Sequence, residues 1–421
     1  KVLESDAYTV YTNITTGGAM RGYGIPQAAF AAECMADDLS LALHMDPLEF
    51  RKKNCMQAGY EDPHTHVKCN SYGLEACMEK GREFIRWDEK RKEYENQTGP
   101  VRKGIGMAIF CYKTGVYPIS LETAACRMIL NQDGSMQLQM GATEIGQGAD
   151  TVFTQMAAEV TGITEDKVNI MSTQDTDVTP FDTGAYASRQ TYVSGMAVKK
   201  TGAVLKEKIL DYGAYMLGRP QDTLDIENNF VVDKDTRKPL LAMEELATTA
   251  FYSLDRSVHI TAEATSHCKT NTFATGVCFA EVEVDMPLGK VKVTNIVNVH
   301  DSGNLINPKL AAAQVHGGMS MGLGYGLSEQ LLFDAKGRPL NDNLLDYKLP
   351  TSMDTPDLNA LFVELDDPTG PFGNKALGEP PAIPVAPAIR NAVLNATGVA
   401  VDSLPMDPQK MVAHFKAAGL I

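Results

Sequence analysis

Apolar and acidic positions recur with helical spacing through Gln27–Leu43, where Ala, Met and Leu form one side and the acids gather on the other, predicting an amphipathic helix. Asp46-Pro47 opens a second helix, with Pro at an early position where its missing N–H costs little. From Trp87 to Lys103 the chain becomes densely charged and ends in Gly-Pro-Val-Arg-Lys, which reads as a linker with a boundary near residue 100. Beyond it, Thr123–Met140 alternates around Asp133-Gly134, a hairpin signal because the turn needs positive φ at Gly. Ala149–Val160 reads as a helix and Lys167–Thr173 as a strand. A long helix ends near Leu217, with Gly218 and Pro220 as stop signals. Strand-like runs return at Val277–Val284 and Gly289–Val299, then come the Ala- and Gly-rich segment Lys309–Gln330, a strand at Leu358–Glu364, and a helix from Val385 to Thr397. Within Lys309–Gln330, Gly322-Leu-Gly-Tyr-Gly326 is expected on a small-residue helix face that packs closely. Strands and helices mixed without strict β-α-β alternation predict α+β layers over a doubly wound sheet.

Composition narrows the partners. At 421 residues the chain is long enough for two to three packing units without covalent staples. A formal net charge of −15 argues against nucleic acid or an anionic membrane surface, since a phosphate backbone would be repelled at long range. No run approaches the length of a membrane span, and nothing at the N-terminus reads as a signal peptide. The eight cysteines include no C-x-x-C pair and read as reduced thiols of a cytoplasmic protein. They also lack the close thiolate groupings that hold iron–sulfur clusters, so a one-electron relay would sit on another chain or domain. Residue 1 is Lys rather than Met, and Lys1–Thr16 reads like the middle of a domain, so the chain is expected to be a piece of a longer product.

Three glycine-bracketed polar segments stand out: Gly141-Ala-Thr-Glu-Ile-Gly-Gln-Gly148, Asp182-Thr-Gly-Ala-Tyr-Ala-Ser-Arg-Gln190 and Gly373-Asn-Lys-Ala-Leu-Gly-Glu-Pro-Pro381. The first two precede helices, where free N–H groups and the helix dipole suit an anion; the same sequences also serve as plain caps and tight turns. No G-x-G-x-x-G follows a strand and no P-loop occurs, so the expected anion is neither a Rossmann-bound nicotinamide cofactor nor a P-loop nucleotide. His64, His66 and Cys69 are close in sequence but lack a second ligand pair, and they read as a solvated loop. Glu379, between Gly378 and two prolines, fits equally a desolvated general base and the cap of the closing helix.

Arg21-Gly-Tyr-Gly-Ile-Pro-Gln27, Glu144-Ile-Gly-Gln-Gly148, the Gly-Ala-Tyr-Ala-Ser-Arg loop, Gln314 in Ala-Gln-Val-His-Gly-Gly, and Lys375-Ala-Leu-Gly-Glu-Pro-Pro381 occur in the order found in molybdenum-binding subunits of the xanthine dehydrogenase family. The chain resembles the C-terminal portion of such a subunit. The resemblance implies a mixed-sheet α+β molybdenum cofactor-binding domain, with residues 1–100 as the remnant of a first molybdopterin-binding domain and 101–421 as the second. It places Arg21 and Ala187 beside the metal and Tyr23 against the substrate ring, where the phenol replaces the Phe of many purine enzymes. Gly146, Gln147, Gly148 and Gln314 fall to the pterin, and Ser188, Arg189 and Gln190 to phosphate and pterin oxygens.

Under the same resemblance, Glu379 is the catalytic base that takes a proton from a molybdenum-bound hydroxyl, and water is the oxygen source. The metal sits on the dithiolene of its molybdopterin, in the dinucleotide form if the source is bacterial, so no His/Cys cluster is required. The implied partners are the upstream half of the molybdenum subunit and iron–sulfur and flavin components carrying [2Fe-2S] and FAD. The implied substrate is a purine or similar N-heterocycle, with an aldehyde or nicotinate-type hydroxylase, or an inert fragment, as the competing readings.

Overall fold

The structure, a computed structural model, describes residues 4, 6–14, 17–64, 66–171 and 175–421. Part of the Lys1–Thr16 reading, Thr65 of the His64–His66 stretch and the end of the Lys167–Thr173 strand lie outside the described residues.

Four helices come first: α1 (Ile25–Ala42), α2 (Pro47–Asn54), α3 (Leu74–Ile85) and α4 (Trp87–Glu93). They lead to β1 (Val101–Lys113), the hairpin β2 (Glu122–Leu130) and β3 (Met136–Met140), then α5 (Ala149–Thr161), β4 (Val168–Ile170) and α6 (Gly195–Leu217). A small meander of β5 (Leu224–Glu227), β6 (Phe230–Asp233) and β7 (Pro239–Ala242) continues through α7 (Met243–Tyr252) to β8 (Thr261–Cys268), β9 (Phe273–Asp285) and β10 (Lys290–Asp301). The remainder holds α8 (Pro308–Leu327), β11 (Leu358–Val363), α9 (Val385–Thr397) and α10 (Pro408–Ala417).

These elements form the expected α+β mixture with mixed sheets, but among the described residues no doubly wound sheet. One sheet has the order β1-β9-β10-β11 and another β4-β3-β2-β8. Only the β10–β11 and β3–β4 pairs are parallel within them. The reason lies in the connections: β2–β3 and β9–β10 are joined by short turns, which can only return a strand antiparallel. Asp133-Gly134 makes the first of these turns as expected, with Gly134 at φ 75°. Proline opens α2 behind Asp46, whose carboxylate caps the amides of Leu48 and Glu49.

The charge-dense Trp87–Lys103 stretch is a linker only over residues 94–100. Its start is α4 and its end the first residues of β1, and its single Trp is the anchor. Trp87 is buried edge-on against Phe279, with ring centroids 5.4 Å apart, and its Nε1 donates to Asp46. The charges are the outer face of a short amphipathic helix, a pattern that resembles a linker when one apolar residue per turn is all the core requires. α3 and α4 therefore share a core with β1, β9 and β10. Among the described residues no helix is long and apolar enough to cross a membrane. The eight cysteines are free thiols.

The central sheet is covered on its second face by α9 and α8, which explains the almost continuous burial of β9. α9 lies so close to β1 that side chains are excluded: a Cβ at Gly106 would stand 2.1 Å from the Ala392 nitrogen. Because α9 follows directly on the loop carrying Glu379, this contact also sets the height of that loop. Gly106→Ala is expected to cost about 1–3 kcal/mol by forcing helix and strand apart. Urea denaturation checks it, an unchanged midpoint being the contrary result.

Candidate active site

Three turns, two of them with unusual backbone, meet at one place. Gly22, Tyr23 and Gly24 all have positive φ, at 101°, 45° and 84°, and the turn is closed by the Tyr23 amide donating to the Met20 carbonyl at 2.7 Å. Ala187 and Ser188 follow each other in the left-handed region at φ 48° and 50°. Non-glycine residues there cost energy that surrounding structure must offset, and such positions concentrate at functional sites. The third turn, Pro380–Ala382, carries Glu379 at its head.

The Glu379 side chain joins these turns. Its Oε1 accepts the Gly22 amide at 3.2 Å. Its Oε2 accepts the hydroxyls of Tyr112 at 2.5 Å and Ser188 at 3.1 Å. The Ser188 Oγ in turn accepts the Glu379 amide at 2.9 Å, so serine and glutamate clasp one another through backbone and side chain. Of the two local readings of Glu379, the helix-cap role is not what its side chain does: Pro380 and Pro381 offer no N–H, and the carboxylate faces the other turns. The loop before it is held rigidly, for Lys375 and Asp301 form an ion pair of 2.7 Å from which solvent is excluded. Burial pushes the Asp301 carboxyl up, against the opposing charge of Lys375.

Arg21 and Gln314 are also brought together. The Arg21 Nε donates to the Gly378 carbonyl at 2.5 Å, and Nη2 donates to the Gln314 carbonyl and Oε1 at 2.8 and 3.2 Å. Gln314 lies on α8, where the Gly322–Gly326 face packs closely as expected, a Cβ at Gly322 falling 2.4 Å from the Val385 Cβ. Burial lowers the Arg21 pKa and the Glu379 charge partly restores it. Among the described residues its Nη1 has the Met321 sulfur, at 3.9 Å, as its one partner. Tyr23 points outward and is 75% exposed.

Gln147 and Gln190 meet as well: the Gln147 Nε2 donates to the Gln190 Oε1 at 2.7 Å, and both amides donate to the Thr143 carbonyl. Gln190 begins a π-helical turn, Gln190–Ser194, of a kind common at functional sites. Two sequence expectations change here. The amides at the head of α5 are not free for an outside anion, because Glu144 accepts those of Gly146, Gly148 and Asp150 at 2.7, 3.2 and 3.1 Å. Desolvation opposes the Glu144 charge, but these donors outweigh it and hold the carboxyl below its usual range. Arg189 is wholly buried, its guanidinium spent on Glu122 at 2.5 Å and Asp182 at 2.6 Å and on the Gly184 and Thr123 carbonyls. Its charge shapes the loop, and the enclosed side chain, with 0% exposure, does not reach an outside phosphate.

Sequence reasoning missed Tyr112, the Asn298 amide that donates to the Pro381 carbonyl at 3.0 Å, and His300. All three come from strands whose apolar pattern signals only core. His300 lies between Phe110 and Phe362, and among the described residues neither ring nitrogen has a hydrogen-bond partner. Burial first, and the Arg21 charge second, depress its pKa to about 3. A histidine of ordinary pKa in the unfolded chain takes up a proton below pH ~6.5 that the folded chain refuses down to pH ~3. Its contribution to stability is therefore present above pH ~6.5 and is lost at about 1.4 kcal/mol per pH unit as pH falls through that window. Replacing His300 with Leu should remove this slope, leaving the mutant more stable than the parent at pH 5 by about 2 kcal/mol relative to their difference at pH 7. Urea midpoints at the two pH values test it, and equal slopes would refute it.

Among the described residues no group of three or more His, Cys, Asp or Glu could hold a metal ion. The donors gathered here are amides, hydroxyls and one guanidinium with an underused nitrogen. This set fits an anionic organic cofactor that brings its own metal ligands, and does not fit a metal held by side chains.

Comparison with known proteins agrees. Residues 80–356 match one model of a molybdopterin cofactor-binding domain, and residues 1–55 match a second. A putative xanthine dehydrogenase molybdenum-binding subunit of Escherichia coli K12 is 48% identical over 98% of this chain and 55% of its own length. A probable hypoxanthine oxidase of the same organism is 33% identical over 97% of this chain and 43% of its own. The structure of reconstituted CO dehydrogenase from Oligotropha carboxidovorans superposes with a TM-score of 0.89 at 25% identity, covering 98% of this chain and 54% of that one. The chain thus spans about half the length of the curated relatives it matches. It belongs to the molybdopterin cofactor-binding domain family.

Proposed function

We propose that this chain is the C-terminal part of the molybdenum-binding subunit of a xanthine dehydrogenase-like hydroxylase that oxidises a purine or similar N-heterocycle, taking oxygen from water. The observation that carries the reading is the Glu379 carboxylate, held on both oxygens where the Arg21, Ser188 and Glu379 turns meet. In this reading residues 1–100 complete a first molybdopterin-binding unit with a segment upstream, and 101–421 form the second. Iron–sulfur and flavin components on other chains or domains take the electrons away, since the cysteines here lie too far apart in sequence to suggest a cluster.

When bound, molybdenum-molybdopterin, in its dinucleotide form if the source is bacterial, would supply the two-electron oxidant and the place where water is activated. The chain supplies the rest. Arg21 Nη1 and the Gln314 amide offer donors to the cofactor's anionic face. Gly146, Gln147, Gly148 and Gln190 would hold the pterin, and Ala187 and Ser188, in the left-handed region, would lie in the part of the site that takes the metal. Tyr23 offers an exposed flat ring for stacking. Glu379 accepts a proton from the activated water and orients the reacting groups. The phenol of Tyr23, polar where a Phe would not be, also suits an aldehyde or nicotinate-type substrate.

Turnover of the assembled enzyme with purines, aldehydes and pyridines tests the substrate class. Purine turnover at least about tenfold above the others in kcat/KM supports the reading, and preference for an aldehyde or pyridine replaces it.

A further inference from the structure

The donor set on Glu379 is lopsided. Oε2 receives two hydroxyls, from Tyr112 at 2.5 Å and Ser188 at 3.1 Å, whereas Oε1 receives one longer bond from the Gly22 amide at 3.2 Å. Tyr112 stands near the end of β1 opposite Ala274, and its ring packs with Phe110, Ala274, Ala376 and Ile383. The small residue opposite and the neighbouring Ile383 fix the ring, so its hydroxyl has one direction to point. That hydroxyl stays protonated at any working pH, because burial, and then the Glu379 charge, push it far above the ordinary tyrosine range. It is therefore a permanent donor.

We propose that Tyr112 is the positioning residue of the site: by saturating Oε2 together with Ser188, it fixes the rotamer of Glu379 and leaves Oε1 as the atom that accepts the proton. The inference rests on the reading of Glu379 as the base. One consequence follows from the geometry. A carboxylate held in one rotamer loses no time or energy in reorienting, which acts on kcat more than on KM.

The test is Tyr112→Phe in the assembled enzyme, which keeps the packed ring and removes the donor. In that variant kcat at neutral pH should fall about tenfold or more with KM changed less than about threefold. A second readout needs no turnover: the carboxylate infrared band that Glu379→Gln removes should shift and broaden once a donor to Oε2 is gone, in cofactor-free enzyme as well. If Tyr112→Phe does not fold, a difluorotyrosine at position 112 keeps the shape and donates more strongly, and the band should then shift the other way. An unmoved carboxylate band in either variant overturns the proposal even if Glu379→Gln is inactive. Full turnover by Glu379→Gln would instead remove the base reading, and the infrared band would still decide whether Tyr112 holds the carboxylate.

Discussion

Arg189→Met is expected to destabilise the chain by about 3–5 kcal/mol or more, because it leaves two carboxylates buried with no cation between them. Both partners are as enclosed as Arg189 itself, with 1% side-chain exposure each for Glu122 and Asp182 against 0% for the arginine. Burial works against the guanidinium charge, yet Asp182 and Glu122 together more than offset it and raise its pKa above the ordinary value. The network also organises the loop that carries Ala187 and Ser188: Asp182 accepts from Arg189, from the Gly184 amide and from the Ser194 hydroxyl. Chemical denaturation of Arg189→Met, read beside the triple replacement of Arg189, Glu122 and Asp182 by apolar residues, separates the loss of charge balance from the loss of packing. The triple variant should recover much of the lost stability, since an ion cluster replaced as a whole is often nearly neutral. A loss below about 1 kcal/mol in the single variant would show that the network is not what holds the loop.

Glu379→Gln is expected to abolish turnover of the assembled enzyme while leaving molybdenum content and fold nearly intact. The amide keeps the size of the side chain and can still accept from the Gly22 amide or from Tyr112 and Ser188. It cannot take up a proton near neutral pH. Removing a positioned general base costs typically ~10² to 10⁴ in rate, or roughly 3–5 kcal/mol of barrier. If Glu379 were only a structural link between turns, the loss of some hydrogen-bond strength would lower stability by about 1 kcal/mol and leave the rate per folded molecule unchanged.

The sequence was most informative where chemistry and local geometry coincide. Asp46-Pro47 and Asp133-Gly134 act within a few residues, so a cap and a turn could be read without the fold. Arg21, Ser188, Gln314 and Glu379 were recognisable as spaced motifs, and the structure brings them within hydrogen-bonding distance across nearly the whole chain. Tyr112 could not be read, because its meaning comes from a partner 267 residues away and its own strand reads only as core. Arg189 was misread as a donor for an outside anion because a sequence does not say which way a long cation turns; Glu122 and Asp182 claim it inside. The head of α5 was misread for the mirror-image reason, Glu144 being the anion those amides needed. The charge-rich α4 shows the limit of composition, since one buried Trp outweighed the surrounding charges.

The most direct test of Glu379 as the base is the rate at which substrate reduces the bound molybdenum in a single anaerobic turnover, measured per bound molybdenum in parent and Glu379→Gln enzyme. The account predicts a fall of at least ~10² at equal molybdenum content. A mutant within about threefold of the parent would contradict it and remove Glu379 from the chemistry.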